Sequence, residues 1–237
     1  MYRVLSLLIF STQIMASVPA DMDRFSGNFD LGLNFTKNTE YTFQFNNMFL
    51  VKYEKGKSNF SLGNNISFIS KTGQDDLLNK GTQDFKYAID AKKMDANITL
   101  QHMYDISRSI KNRYTSGLGF SYYFTDEDNR KIGVGLSLIR EHEIPIVGEN
   151  ILQNRMSSNF DLMIKLNKNV TISTTNHYQP NIEKVGDFRL KSNIAFRVNL
   201  STYFLLSINS TFNYDSIPGE GIPDTDYQLI NSISYTF

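Results

Sequence analysis

The chain of 237 residues contains no cysteine, no tryptophan and only five prolines. Without cysteine, neither a disulfide framework nor a cysteine-type zinc site is available, and the three histidines are scattered along the chain. Lysine plus arginine number 24 and aspartate plus glutamate also number 24, so the basic excess of a typical nucleic-acid-binding protein is missing. We therefore expect no metal, no cofactor and no nucleic-acid partner.

Long hydrophobic runs are also missing. The one clear apolar stretch, Val4–Phe10, is too short to cross a bilayer as a helix. Arg3 precedes it and Val18-Pro19-Ala20 follows it, which is the arrangement of a secretory signal peptide. We expect residues 1–20 to be a signal peptide and residues 21–237 to form the folded domain. A buried N-terminal helix is the alternative.

From Phe25 onward, apolar and polar residues alternate, which is the pattern of β-strands with two unlike faces. The segment from Phe25 to Phe35 shows the alternation most clearly, and it recurs up to the last segment, which ends at Phe237. The pattern predicts an all-β chain of about twelve strands with no helix.

The predicted connections between strands alternate in length. Tight turns such as Lys55–Lys57 and Asn167–Asn169 follow even-numbered strands, whereas longer loops such as Glu143–Leu152 and Asp215–Thr225 follow odd-numbered ones. Short turns at one end, long loops at the other and an even strand number are typical of an antiparallel up-and-down β-barrel that spans the bacterial outer membrane. A secreted, water-soluble β-sandwich or barrel is the alternative, since its strands also have two unlike faces.

Charged side chains within the predicted strands fall on the polar phase of the alternation. A lysine or arginine that faces lipid at mid-depth costs about 2–4 kcal/mol, so a membrane barrel keeps such residues inside. We expect the following residues to line the lumen: Asp30, Lys52, Lys86, Asp90, Asp95, Asp161, Lys165, Arg189, Lys191 and Arg197.

The charges of opposite sign are expected on opposite walls. The acidic residues of the fourth and fifth strands, Asp90 and Asp95, should face the basic residues of the eighth to tenth strands across the lumen. Such an arrangement either orients polar solutes in an open lumen or closes the lumen through ion pairs. The sixth and seventh strands face inward with Gly117, Gly119, Gly133 and Gly135, which leaves room for long opposing side chains or for water.

Two smaller groups of residues lie near predicted strand ends. Ile233, Tyr235 and Phe237 resemble the C-terminal signal that the outer-membrane assembly machinery reads, a terminal aromatic residue preceded by apolar residues at alternate positions. Arg140 and His142 continue the apolar phase of the seventh strand to the outer rim. There they could contact lipopolysaccharide phosphates, or extend into water.

The histidines give no sign of a catalytic site. A membrane phospholipase of twelve strands needs a serine two positions after its histidine, but Tyr104, Ile144 and Gln179 occupy those positions. A nucleophile without a base within hydrogen-bond reach is not activated. We expect no enzymatic activity and no catalytic residue.

Short motifs are spread over nearly the whole chain after the signal peptide. They are Phe25-Ser26-Gly27, Gly117-Leu118-Gly119-Phe120, Gly133-Val134-Gly135-Leu136-Ser137 with Arg140-Glu141, and Tyr214-Asp215-Ser216-Ile217-Pro218. Together they resemble the family of salt-induced outer-membrane proteins, a domain of unknown function. The resemblance implies an outer-membrane barrel and no established activity.

The polar, glycine-bearing inward phase favours a passive channel for small hydrophilic solutes or ions, weakly selective because its charges are of mixed sign. A closed barrel with an envelope-integrity or surface-interaction role and no transport is the alternative. The expected partners are the lipid and lipopolysaccharide of the outer membrane and its assembly machinery. The sequence leaves the oligomeric state, the solute and the gating open.

Overall fold

The computed structural model describes residues 24–37, 41–73, 77–91 and 93–236. The predicted signal peptide, residues 1–20, and Phe237 lie outside the described residues. The strands are β1 (Phe25–Lys37), β2 (Tyr41–Lys55), β3 (Ser58–Lys71), β4 (Leu78–Ala91), β5 (Met94–Asp105), β6 (Ile110–Glu127), β7 (Arg130–Pro145), β8 (Ile151–Lys165), β9 (Val170–Pro180), β10 (Phe188–Asn199), β11 (Phe204–Asp215) and β12 (Thr225–Thr236).

The strands form one closed antiparallel barrel. Each strand pairs with its neighbours in the chain, and β12 pairs with β1 through Asn28–Thr236 and Phe29–Tyr235. The predicted all-β barrel of twelve strands is therefore confirmed. The predicted absence of any helix is wrong at one short segment, because Ile106–Arg108 forms a 3₁₀ turn. Alternation gives no sign of so short an element, since a single turn has no repeat.

The two ends of the barrel differ. The connections after even-numbered strands lie at one end, which we call the turn end, and those after odd-numbered strands lie at the other, the loop end. At the turn end, Gly56 has φ of 58°, a left-handed conformation that costs glycine little. At the loop end, β7 continues to Pro145 and β8 begins at Ile151. The predicted loop Glu143–Leu152 was therefore too long, and Glu143 belongs to β7.

Polar side chains are buried and apolar side chains are exposed, which is the reverse of their distribution in a water-soluble protein. Glu141 and Arg155 are 4% and 2% exposed, whereas Leu118 and Leu138 are 65% and 64% exposed. Every strand contributes at least one large apolar or aromatic side chain to the exposed outer face. An exposed apolar surface on every strand is far more extensive than the isolated patches of a soluble monomer. The alternative of a soluble β-sandwich is excluded, because the sheet closes on itself.

No helix in the described part of the chain is long and apolar enough to cross a membrane.

Candidate functional site

The inside of the barrel holds a cavity of about 1590 Å³. Its walls come from β3 to β12 and from loop-end connections that include Gly148 and Gly219. Towards the turn end the cavity reaches Tyr123 and Asp161. The alternation of each strand places polar side chains on this inner wall, among them Thr99, Gln101, Asn159, Thr175, Asn193 and Gln228.

The predicted lumen residues fall into two groups. Four of them line the cavity, namely Lys86, Asp161, Arg189 and Lys191. The others share the inward phase of their strands but are not part of the cavity wall; they are Asp30, Lys52, Asp90, Asp95, Lys165 and Arg197. Most of this second group lies nearer the turn end.

Ion pairing between Asp90 or Asp95 and the basic residues of β8 to β10, one of the two expected alternatives, does not occur among the described side chains. Asp90 is next to the last residue of β4, at the turn end, whereas Arg189 is the second residue of β10, at the loop end. Asp90 and Asp95 are instead direct cross-strand neighbours. Asp95 accepts a hydrogen bond from Tyr123 Oη at 2.8 Å. Asp90 and Asp95 therefore differ in depth from Arg189, whereas Lys165 and Arg197 lie near the turn end like the two aspartates.

An ion-paired cluster lies at the loop end instead. We call Arg113, Glu141, Glu143, Arg189 and Asp215 the loop-end cluster. Arg189 Nη1 lies 2.8 Å from Glu141 Oε1, and Arg189 Nε lies 2.9 Å from Asp215 Oδ2. Arg113 Nε donates to Glu143 Oε2 at 2.7 Å and lies 3.6 Å from Glu141 Oε1.

The loop-end cluster crosses the lumen. Glu141 is on β7 and Arg189 on β10, and two further strands, β8 and β9, separate them in the sheet. Contact between such strands needs side chains that reach through the interior rather than along the wall. Charges buried to this degree need opposite charges and hydrogen bonds, and the cluster supplies both. The lumen is therefore narrowed at this depth.

A second buried ion pair anchors the connection between β9 and β10. Arg155 Nη2 lies 2.7 Å from Asp187 Oδ1, and Arg155 Nη1 donates to the Gln179 carbonyl oxygen at 3.0 Å. Asn181 Nδ2 donates to Asp187 Oδ2 at 3.0 Å. Gln153 links this ion pair to the loop-end cluster, because its side-chain oxygen accepts a hydrogen bond from Arg155 at 3.2 Å and its side-chain amide donates to Glu141. The mouth of the lumen is thus fixed by side chains that belong to one hydrogen-bonded network.

Below the cluster, the cavity wall carries cations that make no ion pair with a described residue. Lys86 and Lys191 line the cavity but take part in none of the ion pairs among described side chains. His177 is the cross-strand partner of Lys191, and its buried Nδ1 has no hydrogen-bond partner in the described part of the chain. Asp161, in contrast, accepts a hydrogen bond from Thr175 at 2.7 Å. The inner wall therefore has charges of both signs.

The inward glycines of β6 and β7 accommodate neighbouring side chains, not opposing ones or water. A Cβ placed on Gly133 would lie 2.5 Å from Tyr123 Cδ1. One on Gly135 would collide with Asn159, and one on Gly119 with Ser137. The expectation that these positions leave open space was therefore wrong, because adjacent strands fill the space.

Several site residues escaped the sequence prediction. They are Arg113, Glu141, Glu143, Arg155, Asp187 and Asp215. The strand limits had been placed too short at the loop end, where apolar residues no longer mark the outward phase. Extending the phase of Ser137 along β7 would have placed Glu141 and Glu143 inside.

The remaining predicted residues lie on the outer face. Arg140 is exposed and His142 half-buried, both on the outward phase of β7 towards the loop end. Ile233 is 65% exposed on β12, and the ring of Tyr235 stacks at 6.0 Å from that of Tyr203. No group of three histidine, aspartate or glutamate side chains within the described ranges could hold a metal ion.

Comparison with known proteins identifies the fold and a family. A profile of the family described as "Protein of unknown function, DUF481" matches residues 29–237. No curated protein matches the chain. Among solved structures, the NanC porin is 8% identical, with a TM-score of 0.51 over 90% of this chain and 97% of the porin. At that identity the likeness shows a shared closed antiparallel barrel and no more.

Two further solved structures are more distant. The KdgM porin is 10% identical, with a TM-score of 0.45 over 90% of this chain and 99% of the porin. The Pseudomonas putida toluene transporter TodX is 8% identical, with a TM-score of 0.41 over 91% of this chain and 89% of the transporter.

Proposed function

The chain belongs to the family described as proteins of unknown function, DUF481, and we propose that it is a passive, weakly selective channel for small hydrophilic solutes or ions in the bacterial outer membrane. The description of the family names no activity. The function therefore has to be inferred from the two surfaces of the barrel, one facing outward and one facing the lumen.

The outward surface supports the membrane location. Side chains such as Leu118 and Leu138 point away from the barrel and are mostly exposed, which water would penalise by about 25 cal/mol per Å² of apolar area. A closed barrel satisfies its backbone hydrogen bonds between strands, so it can lie in hydrocarbon without an open edge. The apolar stretch Val4–Phe10 supports export by its resemblance to a signal peptide.

The cavity carries the channel proposal. Its volume of about 1590 Å³ exceeds the range of about 300–1,000 Å³ that is usual for small-molecule pockets. It extends from the loop-end connections to Tyr123 and Asp161, along walls of hydroxyl, amide and charged groups. Mixed charges such as Lys191 and Asp161 favour weak selectivity, because a lining of one sign is what selects ions by charge.

The loop-end cluster favours a second candidate, a closed barrel with an envelope-integrity or surface-interaction role and no transport. The bond between Arg189 and Glu141 joins two parts of the wall that are three strands apart and would resist opening. In that case the loops would carry the function. The two candidates differ in a single measurable property, the passage of solutes.

A liposome-swelling assay separates the candidates. Purified protein is reconstituted into liposomes, which are then diluted into isotonic solutions of sugars of increasing size. We expect rapid swelling with the smallest sugars and progressively slower swelling with larger ones, whereas liposomes that received heat-denatured protein should stay unchanged. Absence of swelling with every sugar would support the closed barrel.

A further inference from the structure

A groove of about 480 Å³ lies on the outer face of the barrel, across β3 to β8. Its apolar part is formed by Leu62, Phe85 and Leu100, and its other end by His142 and the cationic Arg140. These residues all lie on the outward phase of their strands, and Leu100 is 50% exposed. The groove is therefore separated from the lumen by the barrel wall.

The strand register orders the groove along its length. Leu62, Phe85, Leu100, Ser116 and Arg140 are successive cross-strand partners from β3 to β7. Strands of such barrels tilt by about 35–45°, so a row that crosses them at right angles climbs along the barrel axis. Leu62 is near the turn-end start of β3, whereas Arg140 is in the loop-end half of β7. The groove thus runs from a deep apolar end to a cationic end nearer the rim.

A chain of hydrogen-bonded side chains borders the groove. Asn64 Nδ2 donates to Asn47 Oδ1 at 2.9 Å, and Gln83 Nε2 donates to Asn64 Oδ1 at 3.1 Å. The ring nitrogens of His102 lie 2.6 Å from Gln83 Oε1 and 2.9 Å from Asn112 Oδ1. Polar groups on a lipid-facing surface need such partners. Gln83 and His102 line the middle of the groove, held in place by this chain.

The groove is also shaped and charged for a ligand. Ser116 is the short side chain between Tyr114 and Leu118 on the outward phase of β6, and it forms part of the groove lining. Arg140 forms no ion pair with a described residue. Glu183 reaches the same side, but it accepts a hydrogen bond at 2.7 Å from Asn154, the cross-strand partner of Arg140. The guanidinium group of Arg140 is therefore available to an external anion.

We propose that this groove binds one lipopolysaccharide molecule, with a phosphate on Arg140 and His142 and an acyl chain along Leu100, Phe85 and Leu62. Arginine matches the geometry of phosphate oxygens with paired donors. Lipopolysaccharide also carries amide and hydroxyl groups between its phosphates and its chains, which match the side-chain amide of Gln83. A plain glycerophospholipid offers only ester oxygens at that position. The proposal rests on the membrane location proposed above, but not on conduction through the lumen.

Binding is tested with the purified full-length barrel in detergent, titrated with purified lipopolysaccharide. The readouts are the unfolding temperature and the lipid retained in native mass spectrometry. The wild type should be stabilised and should retain one molecule. Arg140→Gln should bind about tenfold more weakly, a change that corresponds to about 1.4 kcal/mol. Ser116→Trp, which fills the groove without altering its charge, should also lose the retained lipid.

Arg130→Gln is the matched control, because Arg130 is the other arginine of β7 and lies at the turn end. This variant should bind like the wild type. Undiminished binding by both Arg140→Gln and Ser116→Trp would overturn the site. Equal binding of dephosphorylated lipopolysaccharide, or of phosphatidylglycerol, would overturn the assignment of the ligand. A dimer that forms without lipid and is lost in Ser116→Trp would show that a second copy occupies the groove instead.

Failure of this proposal is distinguishable from failure of the channel. Conductance of Arg140→Gln in bilayers without lipopolysaccharide should equal that of the wild type, because the side chain is on the outer face.

Discussion

Arg189 Nη1 of β10 lies 2.8 Å from Glu141 Oε1 of β7, although two strands separate β7 from β10 in the sheet. The contact therefore passes through the lumen. It is supported on one side by Asp215 and on the other by Arg113. A bond in this position affects both the stability of the barrel and the width of its lumen, so the two effects can be measured separately.

Removal of either partner should destabilise the barrel. Glu141→Gln and Arg189→Gln each remove one opposite charge from a partner that keeps only Asp215 and Glu143, or only Arg113, and each should lower the free energy of unfolding by about 1–3 kcal/mol. The double variant should lose less than the sum of the two, since the residues contact each other. Samples are incubated at increasing temperatures before they are run on a denaturing gel. The temperature at which the folded band gives way to the unfolded band measures the change in stability. Strict additivity would contradict a direct bond.

Shortening Arg189 should widen the lumen. Arg189→Ala removes the side chain that crosses to Glu141, so we expect a larger unit conductance than in the wild type. Arg140→Ala is the matched control, because Arg140 is next to Glu141 in sequence but points outward. Its conductance should be unchanged. An unaltered conductance in Arg189→Ala would show that the loop-end cluster does not limit the passage of ions.

Gly133 should not tolerate a side chain. The Cβ in Gly133→Ala would lie 2.5 Å from Tyr123 Cδ1. The ring would have to move, although its hydroxyl is bonded to Asp95 and Lys131 Nζ lies 3.8 Å from its centroid. Overpacking of this kind costs about 1–3 kcal/mol. The thermal unfolding temperature should fall by several degrees.

Gly32→Ala serves as the control for that prediction. At Gly32 the nearest atom to the added Cβ is Asn46 Cβ at 3.6 Å, an ordinary contact. Its unfolding temperature should stay close to that of the wild type. If Gly133→Ala proved equally harmless, the space at β7 would be larger than the contacts of Tyr123 indicate.

Phe237 should matter for assembly in the cell more than for folding in the test tube. Phe237→Ala removes the terminal aromatic residue of the predicted assembly signal, so we expect less folded protein in the outer membrane. Refolding of the purified variant into detergent should match that of the wild type. An equal loss in both experiments would indicate a role in folding instead of recognition by the assembly machinery.

The fold was predictable from the sequence because the alternation of apolar and polar residues has a fixed period. The contacts inside the barrel were not predictable. The residue types alone identify the strand from Phe25 to Phe35. The lengths of the turns then indicate the order of the strands in the sheet. Contact across the lumen depends on depth, which the register determines. Two irregularities in β6, at Ile110/Asn112 and at Tyr123/Thr125, shift the register between β6 and β7, and no residue type in the sequence predicts them. Asp90 and Arg189 differ in depth for a simpler reason, because Asp90 lies at the turn end of β4 and Arg189 at the loop end of β10.

The candidate site was predictable in part for a related reason. Lys86, Asp161, Arg189 and Lys191 were found because an apolar residue directly beside each of them in the sequence marks the opposite phase. Glu141 and Glu143 were missed because the outward positions beside them, Arg140 and His142, are themselves polar. Hydrophobic alternation ends where the outer face stops being apolar, and a strand can continue past that point.

Recording from single barrels in a planar lipid bilayer tests the central claim most directly. Wild-type protein should insert in discrete steps of equal conductance at both polarities, with only a small preference between potassium and chloride. A bilayer that stays silent at both polarities, although the same preparation shows intact barrel on an unheated gel, would contradict a conducting lumen.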